Sequence, residues 1–231
     1  MQNLSSFYGQ DFFEGMTLQR TRFMESAQQR TLSKNDILFL AGDESNACYY
    51  LTSGLVRIFR ATSTGKEALL RIYSPGSLLG VAELSDRLPR PIAAQAITPA
   101  TVHVLPTEQY AALMRSDPVF NENILRLISR EHRYLTDRVA SLILYDVMEK
   151  LLGILAHMYC NALPPGSGRA DFPAITLQIS QDQLAAMIGS TQPTISRMLQ
   201  ELRQEGVICF SRMHISVVAP HILLRRVTCP L

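Results

Sequence analysis

The sequence predicts an α+β chain in which an antiparallel β roll or sandwich is followed by a long helix and then a winged helix-turn-helix. Three observations predict it. Gly42, Gly54, Gly65 and Gly76 recur at spacings of 12, 11 and 11 residues between short apolar runs, the rhythm of short strands joined by turns. About 40 residues after Pro118 run without proline and are rich in Leu, Ile, Arg and Glu, the composition of long helix. Residues 180–206 read as two helices around a turn at Gly189, Ser190 and Thr191, a helix-turn-helix arrangement.

Composition narrows the function classes. The 231 residues are 47% apolar and 18% charged, as in folded soluble proteins, and the length suits two modest domains. The uncharged run Leu151–Cys160 is half of the roughly 20 residues a spanning helix needs, so no membrane partner is expected. Met1–Phe13 lacks a basic region followed by an apolar one, and a cytoplasmic location is expected. Residues 1–146 hold 15 Lys+Arg and 15 Asp+Glu, while 147–231 hold 7 and 5. The whole excess of +2 therefore falls in the C-terminal part, with the sign a polyanion partner needs. Cys48, Cys160, Cys209 and Cys229 show no CxxC or CxH spacing and read as small hydrophobes, with no zinc or iron–sulfur cluster. His103, His132, His157, His214 and His221 form no HxH-type group, and no nucleophile elbow, P-loop or GxGxxG occurs. Neither a metal site nor an enzyme is expected.

Within the first part, Val56 and Ile58 alternate with Arg57 and Phe59, and Ala68, Leu70 and Ile72 alternate with Leu69, Arg71 and Tyr73. This predicts one apolar face per strand. In the long helix Leu125, Ile128, His132, Leu135, Val139 and Leu142 fall at alternating spacings of three and four, an a/d seam. The seam fits a two-fold dimer helix, although an amphipathic helix lying on its own domain would show a similar stripe. In a dimer His132 would face its own copy. It reads as a register-fixing polar group, with a haem ligand, a ligand contact or a pH switch as alternatives. Asp146 interrupts the apolar run from Leu142 to Tyr145 and predicts a hinge before a second helix ending near Tyr159. The stretch Leu163–Phe172, with two prolines and two glycines, predicts a loop.

Ser180 opens the first helix of the pair, which buries Leu184, Met187 and Ile188. Ala185 is small enough for close helix approach, and Gly189 can adopt the left-handed turn conformation. Thr191 is placed to cap the second helix, with Pro193 in its first turn, where a missing N–H costs nothing. Ile195, Met198, Leu199 and Leu202 form the predicted buried stripe. Gln192, Pro193, Ser196, Arg197 and Gln200 face outward, with Thr194 also on this helix. Arg bonds guanine O6 and N7 bidentately, and Gln does the same with adenine. Val207–Phe210 and His214–Val218 read as two wing strands. The bland alternative is a two-helix packing motif with a solvated arginine.

The stretches YYLTSGLVRIFR at 49–60, GKEALLRIYSPGSLLG at 65–80 and AAMIGSTQPTISRMLQELRQEGVI at 185–208, with the long helix between them, resemble the CRP/FNR family of dimeric bacterial transcription regulators over nearly the full length. The resemblance implies a jelly-roll-like β-roll of the cyclic-nucleotide-binding type over 1–118, a dimerisation helix over 119–145 and a winged helix-turn-helix over 146–231. It implies a homodimer that places its recognition helices in successive major grooves of palindromic double-stranded DNA, with half-sites about 34 to 36 Å apart. Arg197 matches the family's guanine-contacting arginine, and Ser196 the serine of the Ser-Arg pair in the FNR-like branch. Pro193 stands where many members carry a glutamate that accepts from cytosine, so one base position is expected to be read differently, through Gln192. Ser180, Ser190 and Thr191 are candidate phosphate contacts, and Gln200 completes the candidate set. The 163–172 loop lies where family members touch RNA polymerase, which makes the polymerase a candidate partner.

The resemblance also implies a small-molecule or redox/gas signal sensed in the roll. Members that bind cyclic nucleotides use a Gly-Glu pair and a closing Arg-Ser or Arg-Thr. GVAELSDRLPRP at 80–91 keeps Gly80 and Arg90 but has Val81 for the carboxylate and Pro91 for the hydroxyl residue. Leu135 and Thr136 match positions that meet the base. Cyclic AMP is therefore not expected as the effector, and Arg90 is left to an acidic ligand or a surface salt bridge. A haem-based gas sensor is the alternative version of the same regulator. The N-terminal cysteines of oxygen-sensing members are absent, so no iron–sulfur cluster is expected. A ligand-binding regulatory protein acting on a protein partner is the rival class.

Overall fold

Short apolar runs between turn residues form eight strands in the first part of the chain: β1 (Gln28–Leu32), β2 (Ile37–Phe39), β3 (Ala47–Ser53), β4 (Val56–Ala61), β5 (Glu67–Tyr73), β6 (Leu78–Leu79), β7 (Ala93–Ala96) and β8 (Ala100–Pro106). The computed structural model describes residues 11–64, 67–163, 173–211 and 214–227. The strands make two four-stranded antiparallel sheets, ordered β1-β8-β3-β6 and β2-β7-β4-β5, so the expected antiparallel roll is observed. Gly42, Gly54 and Gly76 take positive φ at turns; Gly65 lies outside the described residues.

β3 shows how the roll is held. Its residues 47–51 are all buried, because both faces are covered. Ala47, Tyr49 and Leu51 enter a core with Leu38, Phe39, Val56, Ala94 and Val102 from both sheets. Cys48 and Tyr50 point the other way, into a layer with Phe12, Phe13, Phe23, Tyr110, Phe120 and Ile124. That layer belongs to α1 (Thr17–Ser26), α2 (Thr107–Ser116) and the start of α3 (Pro118–Leu144). Phe13 meets Tyr50 edge-on at 5.0 Å, and the Tyr50 hydroxyl donates to the Asp11 carboxylate at 2.8 Å. Aromatic contacts of this kind add to the area they bury.

The alternation expected in β4 and β5 is not what the strands show. A register shift falls between Ile58 and Phe59, so Val56 and Phe59 are the buried residues of β4. In β5 Leu69 is buried and Ala68 exposed, the reverse of the expected face. A bulge inserts one residue, and with a side-chain period of two this exchanges inside and outside beyond it.

One compact unit spans Gly9–Glu131, and another is built from His132–Leu231; α3 begins in the first and ends in the second. The second unit holds α4 (Val147–Ala162), β9 (Ile175–Gln178), α5 (Gln181–Ile188), α6 (Gln192–Gln204), β10 (Ile208–Phe210), β11 (His214–Val217) and α7 (Pro220–Arg226). Asp146, expected as a hinge, is the N-cap of α4: its carboxylate accepts from Glu149 N at 2.8 Å, and the Glu149 carboxylate accepts from Asp146 N at 2.9 Å. This reciprocal capping box starts a new helix, α4, after the break at Tyr145 and Asp146. α4 buries Leu151, Leu152, Ile154, Leu155 and Tyr159 because α5, α7 and β9 all pack on it.

The wing is larger than expected. β11 pairs antiparallel with β10 and also with β9, giving three strands in the order β10-β11-β9. Residues 164–172 of the expected loop, the wing-turn residues 212–213 and Cys229 lie outside the described residues. Among the described residues no helix is long and apolar enough to cross a membrane, and no group of His, Cys, Asp or Glu could hold a metal ion.

Candidate nucleic-acid interface and effector seat

α5 is fixed at both ends. The Ser180 hydroxyl accepts from Gln183 N at 3.1 Å, and the Gln183 side chain accepts from Ser180 N at 2.8 Å. Gly189 ends the helix at φ 73°, a left-handed conformation that glycine adopts without the Cβ penalty. The Gly189 and Ser190 amides both donate to the Ala185 carbonyl at 3.0 Å, which closes the turn tightly. α5 buries Leu184, Ala185, Met187 and Ile188; α6 buries Ile195, Leu199 and Leu202 against it. Met198, expected in the buried stripe, is only half-buried.

Thr191 occupies the N-cap position with extended backbone, but its side chain caps nothing. The hydroxyl pairs instead with that of Thr194 at 2.9 Å, and Pro193, in the first turn, offers no N–H to cap. On the outward face Gln192, Pro193 and Arg197 are exposed, whereas Thr194, Ser196 and Gln200 are half-buried; Ser180 and Ser190 are half-buried and Thr191 is exposed. Gln192 Nε2 donates to Gln181 Oε1 at 2.8 Å, tying the start of α6 to the start of α5. Arg197 has no hydrogen-bond or ion-pair partner among the described residues. Arg203 of this unit lies 5.4 Å from the Phe210 ring centre and Arg226 pairs with Glu205, while Arg225 on α7 is exposed like Arg197. An exposed, unpaired guanidinium on a helix whose opposite face is buried at Ile195, Leu199 and Leu202 is available to an external acceptor.

The seam residues of α3 are open. Leu125, Ile128, Leu135, Val139 and Leu142 are 40–60% exposed, and His132 is exposed with them. Ile143 and Leu144, at 76% and 71%, are also exposed near the end of the helix, Ile143 beside the stripe and Leu144 on the opposite side. The inward side of the same helix holds Ile124, Tyr134, Arg138 and Ser141, all buried. Thr136 donates its hydroxyl to the His132 carbonyl at 2.9 Å.

Of the expected effector residues, Gly80, Val81 and Arg90 lie together in the first unit, while His132, Leu135 and Thr136 belong to the second. Arg90 is no surface ion pair. Its side chain is 1% exposed, and Nη1 donates to Glu83 Oε2 at 3.0 Å and to the Gly80 carbonyl at 2.8 Å. Nη2 donates to the Ala47 carbonyl, and the guanidinium lies 4.7 Å from the Phe39 ring centre. Nε is buried with no partner among the described residues. Gly80 permits this approach, since a Cβ there would stand 2.7 Å from Nη1. Glu83, on a 3-10 turn at Ala82–Leu84, is not among the residues expected from the sequence, where the family's carboxylate stands next to Gly80. Its signal was the one acidic residue between Gly80 and Ser85. Val81 is buried and brings no polar group. The cation that would meet a cyclic nucleotide's phosphate already holds a carboxylate, so these residues do not fit that ligand as they stand.

Residues 29–117 match the family model of the cyclic nucleotide-binding domain, and residues 137–226 match that of the Crp-like helix-turn-helix domain. The chain is 29% identical over 201 residues to the cyclic AMP receptor protein of Thermus thermophilus, covering 87% of this chain and 88% of the relative. It is 28% identical over 200 residues to the global nitrogen regulator of a Nostoc species, covering 86% and 88%. The catabolite activator protein of Thermus thermophilus superposes with a TM-score of 0.53 at 27% identity, covering 94% of this chain and 98% of that one. FixK2 from Bradyrhizobium japonicum shares the fold, with a TM-score of 0.74 at 19% identity over 89% of this chain and 98% of its own. The chain belongs to the CRP/FNR family of transcription regulators.

Proposed function

We propose that the chain acts as a homodimeric, sequence-specific DNA-binding regulator, with sensing assigned to 1–118, dimerisation to 119–145 and DNA reading to 146–231. The observation that carries this reading is Arg197, exposed and unpaired on α6. In this reading Arg197 bonds one guanine per half-site, Gln192 reads the position left by Pro193, and Ser180, Ser190 and Thr191 meet phosphates. Thr194, Ser196 and Gln200 flank the reading face. The open a/d stripe of α3 supports pairing through a second copy, in which Leu125, Ile128, His132, Leu135, Val139 and Leu142 are covered. A small molecule acting on the roll supplies the signal, and the cytoplasm is where such a regulator meets DNA. RNA polymerase remains a partner by family position alone.

Gel retardation of genomic fragments tests the reading. Sequence-selective retardation that weakens steeply with salt is expected, because phosphate contacts release counterions. Retardation equal for all sequences, or none with any effector tried, would favour action on a protein partner.

A further inference from the structure

We propose that Gln181 of α5 decides which base the neighbouring Gln192 reads, by holding one N–H of the Gln192 amide and leaving it the donor–acceptor pair that fits adenine. The proposal deepens the DNA reading given to α6 and rests on that reading.

Both ends of the contact are fixed by backbone. Gln181 is the first residue of α5, directly after Ser180, whose reciprocal bonds with Gln183 set where that helix starts. Gln192 is the first residue of α6, and the Thr191 carbonyl before it accepts from Ile195 N at 3.1 Å. Between the two helices the Gly189 and Ser190 amides close on the Ala185 carbonyl. Across this turn Gln192 Nε2 donates to Gln181 Oε1 at 2.8 Å. Gln181 is half-buried and Gln192 exposed, so Gln181 is the more confined partner and Gln192 the one that meets an outside group.

A primary amide has two N–H donors and one acceptor oxygen. With one N–H given to Gln181, Gln192 keeps the other N–H beside its Oε1. Adenine presents N7 as acceptor and N6 as donor in the major groove, which this pair matches. Guanine presents two acceptors, N7 and O6, and would set one of them against Oε1. Pro193, next in the chain, has no side-chain donor or acceptor and does not compete for Gln192. Polarity at position 181 therefore sets polarity at Gln192. An acceptor at 181 draws the Gln192 nitrogen toward α5. A donor there would draw Oε1 instead and present the NH2 group to the base, which suits guanine.

Selection of bound DNA from a random pool tests this with full-length wild type, Gln181→Glu, Gln181→Lys and Gln192→Ala. Equal unfolding temperatures check that these surface variants fold. Wild type and Gln181→Glu should prefer adenine at one position of each half-site, by about 5- to 100-fold. Gln181→Lys should prefer guanine at that position and keep its other preferences, and Gln192→Ala should lose preference there. Gln181→Lys retaining adenine would overturn the proposal. So would tighter binding by Gln181→Lys on every sequence alike, which marks position 181 as a phosphate contact. If Gln192→Ala alone alters the position, the proposal fails and the reading role of Gln192 stands. If Gln192→Ala keeps every wild-type preference, that role fails with it.

Discussion

Arg138 donates from Nη2 to the carbonyl oxygen of Met187 at 2.5 Å, joining the last part of α3 to the last turn of α5. That carbonyl sits at the negative end of the helix, among the acceptors a helix cannot satisfy by itself. Arg138 is buried, and its Nη1 finds no partner among the described residues, so this one bond carries the link. Ser141 adds a hydroxyl bond to the Arg138 carbonyl at 2.9 Å. The helix that bears the open seam is thereby fastened to the helix on which α6 packs.

Arg138→Ala should lower unfolding stability by about 1.5 to 3 kcal/mol, the usual range for a hydrogen bond to a charged group. Arg138→Met restores much of the stem packing but not the bond, and should recover only part of the loss. Denaturant unfolding of the three forms checks this. A methionine variant as stable as wild type would show that the bond contributes nothing.

Asp117 governs stability at low pH. Its carboxylate accepts from the Val119 and Phe120 amides, each at 3.1 Å, from Gln19 Nε2 and from Arg22. Burial alone would raise its pKa; the Phe120 amide, Gln19, Arg22 and the Val119 amide outweigh burial and hold it below the ordinary carboxylate value. A depressed folded-state pKa gives stability that is present above the unfolded value, about 3.9, and is lost as pH falls through the lower folded value. Asp117→Ala should therefore cost about 1 to 2 kcal/mol at neutral pH, and the difference from wild type should shrink below about pH 4. Unfolding curves at pH 7 and in that acid range measure it; a constant difference would contradict the assignment.

The cysteines should separate by reactivity. Burial pushes the Cys48 thiol up to about 12, whereas Cys209 is exposed. Only the thiolate reacts. Iodoacetamide at pH 8 should modify Cys209 and leave Cys48 intact until the protein unfolds, as read by mass spectrometry of peptides.

The seam should determine oligomeric state. Leu135→Glu places a charge in the centre of the apolar stripe, where a dimer would bury both copies. Sedimentation should show a dimer for wild type and a monomer for the variant. Burying a leucine contributes about 1.5 to 3 kcal/mol, and each dimer loses two. A variant that still sediments as a dimer would place the interface elsewhere.

What could be read in the sequence depended on how local the signal was. The α5 turn was legible because Ala185, Gly189 and Pro193 each have a local conformational reason for their place. The α3 stripe was legible because its period is that of a helix. The faces of β4 and β5 were not, since the register shift between Ile58 and Phe59, which leaves Leu70 of β5 unmatched, has no local mark. β9 was missed because ITLQ is four residues long and pairs with β11, nearly 40 residues away. The burial of Arg90 was hidden for a similar reason: it depends on Ala47 and Phe39, distant in sequence, and on Glu83, two residues beyond the position that Val81 occupies.

Selection of bound DNA from a random pool, run with wild type and with Arg197→Ala, shows whether Arg197 reads a base. Two inverted half-sites with centres about 34 to 36 Å apart are expected. Arg197→Ala should lose preference at one guanine in each half, at about 1 to 3 kcal/mol per contact. An unpaired or absent motif, or an Arg197→Ala variant that weakens equally on every sequence, would contradict it.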